Sequence, residues 1–383
     1  MTLHFERDEF EQRLARVRAT LAERGLSGLL AFKQETMFYL TGYDSFGFCF
    51  FQCLYVGVDG RLALLTRAPD LRQAQHTSFL DDIRVWVDGQ GSNPPLALKT
   101  MLAEFGLANA RLGVEYYAYG LNAYQGRQLD DALAGFCELE DASSVVDEHR
   151  LVKSAAELVY VERAAELADA ALKAAGKTAA PGVFEGDVLA AMQSAVFRGG
   201  GDYPGNEFII GSGRDALLCR YFSGRRFLDQ NDQLTLEFAG AYRHYHCCLM
   251  RTLIVGEPSR AHIEMYDAAR GAIEACVEAL SPGRALGEVF DAHARVLDDS
   301  GLGEHRMNAC GYSLGATFAP IWMDPPMLYT GNPIVAATNM VFFIHIIIAN
   351  SVTEQAMTLG QTVVVTESGS RVLGNGDLGL VVV

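Results

Sequence analysis

Residues 234–252, LTLEFAGAYRHYHCCLMRT, hold the densest group of ionisable side chains in an apolar run. An extended strand sends alternate side chains to opposite faces. Leu234, Leu236 and Phe238 then share one face, and Thr235 and Glu237 the other. A carboxylate in so apolar a strand is expensive to bury unpaired. One reading gives Glu237 an ion pair with Arg251; the other gives it a displaced proton affinity and acid–base work. Read as one strand, 241–255 places His244, His246, Cys248 and Met250 on a common face, with Tyr245, Cys247, Leu249 and Arg251 opposite. Glu237, His244, His246 and Cys248 are the donor types of a tetrahedral zinc site. Same-face neighbours stand ~7 Å apart along a strand, which is far for three in a row to close on one ion.

Two further places carry chemistry. His345 interrupts the otherwise apolar run 340–348. An imidazole there is either neutral with one hydrogen bond or a group with a displaced pKa at a functional site. The segment Gly311-Tyr312-Ser-Leu-Gly315 sets glycines around a Tyr-Ser pair, where backbone is free to approach a ligand. The Gly199–Gly201 run lacks the Lys-Ser/Thr of a phosphate loop.

The elements that position these residues fall into two groups. Phe10, Leu14, Val17 and Leu21 recur at helical spacing and precede Gly25. A strand at 28–32 and a second apolar piece at 37–40 follow. Strands at 53–58 and 61–65 flank Asp59-Gly60, a hairpin signal. Strands at 84–87 and 111–115 and helices at 97–106 and 121–135 complete an alternating α/β domain. A polar stretch, 141–150, leads to a long amphipathic helix at 154–176 and another at 184–197. Strands then dominate (208–211, 233–238, 241–255, 340–348, 361–366, 371–373), broken by helices at 259–280 and 286–299. The boundaries read as 1–148 and 149–383.

Among 383 residues, 31 are Lys or Arg and 47 are Asp or Glu, so the formal net charge is −16, and half the residues are hydrophobic. This is globular composition. The charge argues against nucleic acid or an anionic membrane as partner. No apolar stretch reaches the ~20 residues of a spanning helix, and the charged N-terminus resembles no signal peptide. The eight cysteines (49, 53, 137, 219, 247, 248, 276 and 310) form no framework. They read as mostly buried, reduced thiols of a cytoplasmic protein.

These motifs together resemble the creatinase, prolidase and aminopeptidase P superfamily of pita-bread hydrolases, over nearly the whole chain. The boundary segment from His149 to Leu158 is similar, as are Glu237-Phe-Ala-Gly with Cys248-Leu-Met-Arg-Thr, Gly311-Tyr-Ser-Leu-Gly315, and Asn339-Met-Val-Phe-Phe-Ile-His345-Ile. The resemblance implies an N-terminal α/β domain followed by an α+β pita-bread catalytic domain. Peptidases of the family hold two metal ions with two Asp, one His and two Glu. Those positions fall here on Glu237, Cys248, Tyr312, His345 and either Gly360 or Gln361. A single carboxylate cannot bridge a hard cation pair, so no metal or other cofactor is expected, with a divalent ion kept as the lesser alternative.

Leu40-Thr-Gly-Tyr-Asp44, Gly200-Gly-Asp202-Tyr203-Pro204 and the segment from Glu237 to Cys247 are closest to ectoine hydrolase-like and creatinase-like members. That relation implies metal-independent hydrolysis of a C–N bond in a small polar solute. The family's catalytic histidine falls on Arg220, which stays charged and suits a carboxylate anchor. The expected catalytic groups are Glu237, His345, His246 and Tyr312. Substrate-binding candidates are Arg220, Arg251, Asp202, Tyr203 and Trp322, with Tyr312 and Arg251 as candidates to stabilise negative charge and a Phe46/Phe48 loop as a second wall. An Xaa-Pro metallopeptidase with an atypical metal set and a catalytically silent binding module remain open. Relatives that are dimers imply a homodimer.

Overall fold

A computed structural model describes residues 3–218, 220 and 225–383, and among them the chain divides into two compact units, Met1–Arg150 and Leu151–Val383. The first contains α1 (Arg7–Glu23), β1 (Gly28–Ala31), α2 (Gln34–Thr41), β2 (Cys53–Gly57), β3 (Leu62–Arg67), α3 (Leu71–Thr77), β4 (Asp82–Trp86), α4 (Pro94–Glu104), β5 (Arg111–Val114), α5 (Ala123–Leu133), β6 (Glu138–Asp141) and α6 (Val145–Leu151). Its mixed sheet runs β4-β3-β2-β1-β5-β6, with one apolar cluster on each face. The Asp59-Gly60 hairpin forms as expected. The apolar piece at 37–40 is helical, and the polar stretch 141–150 is largely α6 rather than a linker.

The second unit contains α7 (Ala155–Thr178), α8 (Glu185–Arg198), β7 (Ile209–Ser212), β8 (Asp232–Tyr242), β9 (Tyr245–Val255), α9 (Arg260–Ala279), α10 (Leu286–Asp299), β10 (Gly311–Ser313), β11 (Asp324–Met327), β12 (Val341–Asn350), β13 (Gln355–Val365), β14 (Ser370–Val372) and β15 (Val381–Val382). Its main sheet is ordered β11-β10-β12-β13-β9-β8-β7. Ser154 and Glu157 form a reciprocal cap at the start of α7. An α/β unit is thus followed by an α+β unit, as the sequence motifs imply.

The expected strand 241–255 is two strands. Arg243 and His244 take positive φ (50° and 65°) and form the two-residue turn between β8 and β9. Such turns match the twist of the flanking strands. His244 therefore leaves the row of His246 and Cys248, and the His-x-His-x-Cys face does not exist.

The faces of this sheet have different fates. A β-carbon on Gly240 would lie 2.0 Å from the Ala164 carbonyl oxygen, so α7 crosses directly over that glycine. Gly240 pairs with Cys247, on the face of Tyr245 and Arg251, and Arg251 pairs with Leu359. Leu359 belongs to the apolar cluster built by α9, α10, β12 and β13. All three helices thus pack on one face and leave the other to Glu237, Met250 and His345.

Candidate active site

Strand register assembles the second face. Glu237 pairs with Met250, Met250 with Gly360, and Gly360 with His345. These residues form one row across β8, β9, β13 and β12. At ~4.8 Å per strand, Glu237 and His345 would lie on the order of 14 Å apart in a flat sheet. Tyr312 on β10 closes that distance. It pairs with Phe343, two residues before His345, and its ring centroid is 5.6 Å from that of His345. Its hydroxyl donates to Glu237 Oε1 at 3.1 Å and accepts the indole N–H of Trp322 at 2.8 Å. Trp322, Tyr312 and Glu237 are thus one buried relay.

Burial raises the Glu237 carboxyl to about 7, opposed first by the Tyr312 hydrogen bond and then by Arg220. Glu237 Oε2 has no hydrogen bond among the described residues. Burial, helped by His293 and Arg220, lowers His345 to about 4. Its Nδ1 is buried without a partner. The imidazole is therefore neutral near pH 7 while the carboxyl is poised to hold or release a proton. Tyr312 is pushed well above its ordinary value, chiefly by burial and then by Glu237, and stays protonated. Its proton is already given to the carboxylate, so it fixes Glu237 rather than serving as the expected donor to developing negative charge.

Arg220 is exposed, with its guanidinium 3.9 Å from Met323 Sδ, and its charge reaches both Glu237 and His345. Trp322 lies inside the relay, with its indole N–H on Tyr312.

Several candidates are elsewhere. Arg251 points to the helical face, where it donates to the carbonyls of Met250, Gly360 and Asp377 at 2.8, 2.6 and 2.7 Å. It neither pairs with Glu237 nor reaches the site, because its strand position has the opposite parity. Asp202 accepts the His244 backbone N–H and holds the hairpin turn. Tyr203 is 81% exposed and packs on Phe197. His246 is buried and lowered to about 4, first by burial. Its Nε2 accepts the Gly205 backbone N–H at 2.8 Å, so the ring has no free basic nitrogen for proton transfer. Within the first unit, Phe46 is exposed and Phe48 buried.

The positions equivalent to metal ligands do not fit a cation pair. At Cys248 a single soft sulfur stands where a hard cation pair takes a carboxylate, and burial raises that thiol well above its ordinary value. Gly360, not Gln361, occupies the row. A β-carbon there would meet Phe343 Cζ at 2.7 Å and Met250 Cβ at 2.8 Å, so apolar groups fill the space of a fifth ligand. Among the described residues, no three His, Cys, Asp or Glu side chains converge. Cys53, Cys247, Cys248, Cys276 and Cys310 are buried and Cys49 is exposed, all unbridged; Cys219 lies outside the described residues. No described helix is long and apolar enough to cross a membrane.

Sequence reasoning missed Thr317 and Asn206. Thr317 Oγ1 bonds His246 Nδ1 at 3.1 Å, and Asn206 Oδ1 accepts the Trp322 backbone N–H at 3.2 Å. It also missed Thr235, Thr252 and Thr358, whose hydroxyls link in series at 3.2 and 3.1 Å on the site face. The alternation of β8 would have placed Thr235 beside Glu237, but the cross-strand partners come only from register.

Residues 160–367 match the M24 metallopeptidase family and residues 13–152 the creatinase/prolidase N-terminal domain, and the chain belongs to this family. It is 26% identical to the ectoine hydrolase of Halomonas elongata, over 98% of this chain and 97% of that one. A solved dipeptidase of Mycobacterium ulcerans superposes with a TM-score of 0.85 at 26% identity, covering 99% of each chain. The Xaa-Pro dipeptidase of Bacillus anthracis shares the fold at a TM-score of 0.85 and 20% identity, with 98% of this chain and 100% of that one covered. At this level the protein is a C–N bond hydrolase.

Proposed function

We propose that the protein hydrolyses an amide or amidine-like C–N bond in a small, polar, carboxylate-bearing solute, without a metal. One observation carries this reading. The five positions at which metallopeptidases of the superfamily hold two ions carry Glu237, Cys248, Tyr312, His345 and Gly360, one carboxylate in all, with the last position sealed by Phe343 and Met250. What is left is proton chemistry. The similarity to ectoine hydrolase along the full chain supports it.

Glu237 is the better base, because an imidazole lowered to about 4 holds a proton weakly and the carboxyl sits at about 7. Glu237 takes a proton from water as its oxygen bonds to the substrate carbon. The C–N bond then breaks, and the same proton passes to the leaving nitrogen. A positioned acid–base group is worth about 10²–10⁴-fold. Neutral His345 orients the water or the substrate by hydrogen bonding. Arg220 holds the substrate carboxylate. The expected location is the cytoplasm and the expected assembly a homodimer.

The test is a panel of small N-acyl and amidine carboxylates assayed before and after exhaustive chelation, with the metal content measured. Turnover should survive chelation and fall steeply in both Glu237→Gln and His345→Ala. Turnover that disappears with the metal and returns with it would instead support the Xaa-Pro metallopeptidase reading. Intact turnover in both variants would overturn the assignment.

A further inference from the structure

The histidine that the reaction does not use has a defined place. His246 stands on β9 on the same face as Cys248 and Met250, at the hairpin end of the site. It is fully buried. Both ring nitrogens are engaged, each by a different loop. Nε2 accepts the backbone N–H of Gly205, at 2.8 Å. This fixes the tautomer, so Nδ1 carries the proton and donates to Thr317 Oγ1 at 3.1 Å. The Thr317 hydroxyl then donates to the Trp322 carbonyl at 3.4 Å. From the other loop, Asn206, next to Gly205, accepts the Trp322 backbone N–H at 3.2 Å. The two loops therefore meet at the Trp322 backbone, and His246 ties them together. The indole of Trp322 leads on to Tyr312 and Glu237.

We infer that His246 is a positioning residue, a neutral two-ended clamp that fixes the indole of Trp322 and, through Tyr312, the carboxylate of Glu237. The inference rests on the reading of Glu237 as the acid–base group. Three features of the geometry support it. The segment at 315–317 is strung along the strand edge by Thr317 N–H to His244 carbonyl and His246 N–H to Gly315 carbonyl bonds, at 3.0 and 3.3 Å. Trp322 is 1% exposed, so its side chain has one orientation to hold. Within the relay, each hydrogen bond polarises the next. The groups facing Glu237 are Tyr312 from β10, Cys248 from β9 and Arg220. Those facing His246 are His244 and the Gly315 carbonyl. Burial and His244 keep the ring uncharged, as acceptance of a backbone N–H requires.

The chain has two tryptophans, so an ¹⁵N–¹H spectrum shows two indole resonances. Trp86 donates its indole N–H to the Phe51 carbonyl in the first unit and serves as the internal reference. Three variants are compared with the wild type: His246→Ala, His246→Gln and Thr317→Val. Glutamine carries an acceptor and a donor about as far apart as the two ring nitrogens, and valine removes one hydroxyl at nearly constant volume. In His246→Ala and Thr317→Val the Trp322 resonance should shift and its exchange with solvent quicken by about tenfold or more, while Trp86 stays put. On the solute identified by the panel, kcat should fall about tenfold to a hundredfold with KM within about threefold, since small misplacement acts on the chemical step. His246→Gln should recover most of both. An unmoved Trp322 resonance in Thr317→Val, with the Trp86 resonance showing a folded protein, overturns the clamp whether or not His246→Ala folds. If the resonance moves as stated but the wild type turns over no C–N substrate, the clamp stands and the proposed function falls. If turnover is present and the resonance is unmoved, the function stands and the clamp falls.

Discussion

Replacing Glu237 by glutamine should make the second unit more stable as it makes the enzyme inert, and the gain should depend on pH. Folding raises this carboxyl from 4.5 to about 7 because burial penalises its charge. Between those values the folded protein keeps a proton that the unfolded chain has released. The contribution is therefore complete below pH 4.5 and is lost as the pH rises to 7. At about 1.4 kcal/mol per tenfold change in proton affinity, the full loss is about 3 kcal/mol. Glutamine retains an oxygen to accept the Tyr312 hydroxyl but does not titrate. Glu237→Gln should match the wild type near pH 4.5 and exceed it by about 3 kcal/mol at pH 8. The two units need not unfold together, so the assay is guanidinium unfolding in a Trp86→Phe background, where Trp322 emission reports the second unit alone. A difference that stays constant from pH 4.5 to 8 refutes the idea that Glu237 is buried with a displaced proton.

His345→Gln should show the opposite slope, because burial lowers that imidazole to about 4. The wild type keeps the His345 contribution above pH 6.5 and loses it as the pH falls to 4, so the variant should be less acid-sensitive in the same unfolding assay. Arg220→Gln should raise KM for a carboxylate substrate about tenfold or more, the scale of one charge-assisted contact, and leave KM for its neutral amide nearly unchanged in steady-state kinetics. Gly360→Glu should not create a metal site. It overpacks Phe343 and Met250, lowers stability by about 1–3 kcal/mol, and should leave the metal content measured by mass spectrometry unaltered. Sedimentation should give a mass of two chains if the homodimer forms.

The residues alone reached the architecture, because periodicity and turn chemistry are local. Glycine and aspartate at 59–60 demand a turn, and the alternation of 233–238 demands a strand with Glu237 opposite its leucines. They also singled out Glu237 and His345 of the candidate site, since a carboxyl or an imidazole in an apolar run is unusual in any context. The strand 241–255 was legible except at its break. Arg243 and His244 are uncommon in a two-residue turn, and nothing near them marks a hairpin. That one missed turn carried His244 into a row it does not occupy.

What only the tertiary structure decided is how strands far apart in sequence align. Whether Gly360 or Gln361 belongs to the site row depends on the pairing of β13 with β9 and β12, and a shift of one residue would exchange them. Arg251 looked available because its charge is evident in the sequence. Its strand parity sends it to carbonyls under the helices. His246 looked like an acid–base group because its type suggests one, but Gly205 and Thr317, 41 and 71 residues away in sequence, take both nitrogens. A side chain's type sets the chemistry it offers. Its partners set which of that chemistry is left, and those partners are brought together only by folding.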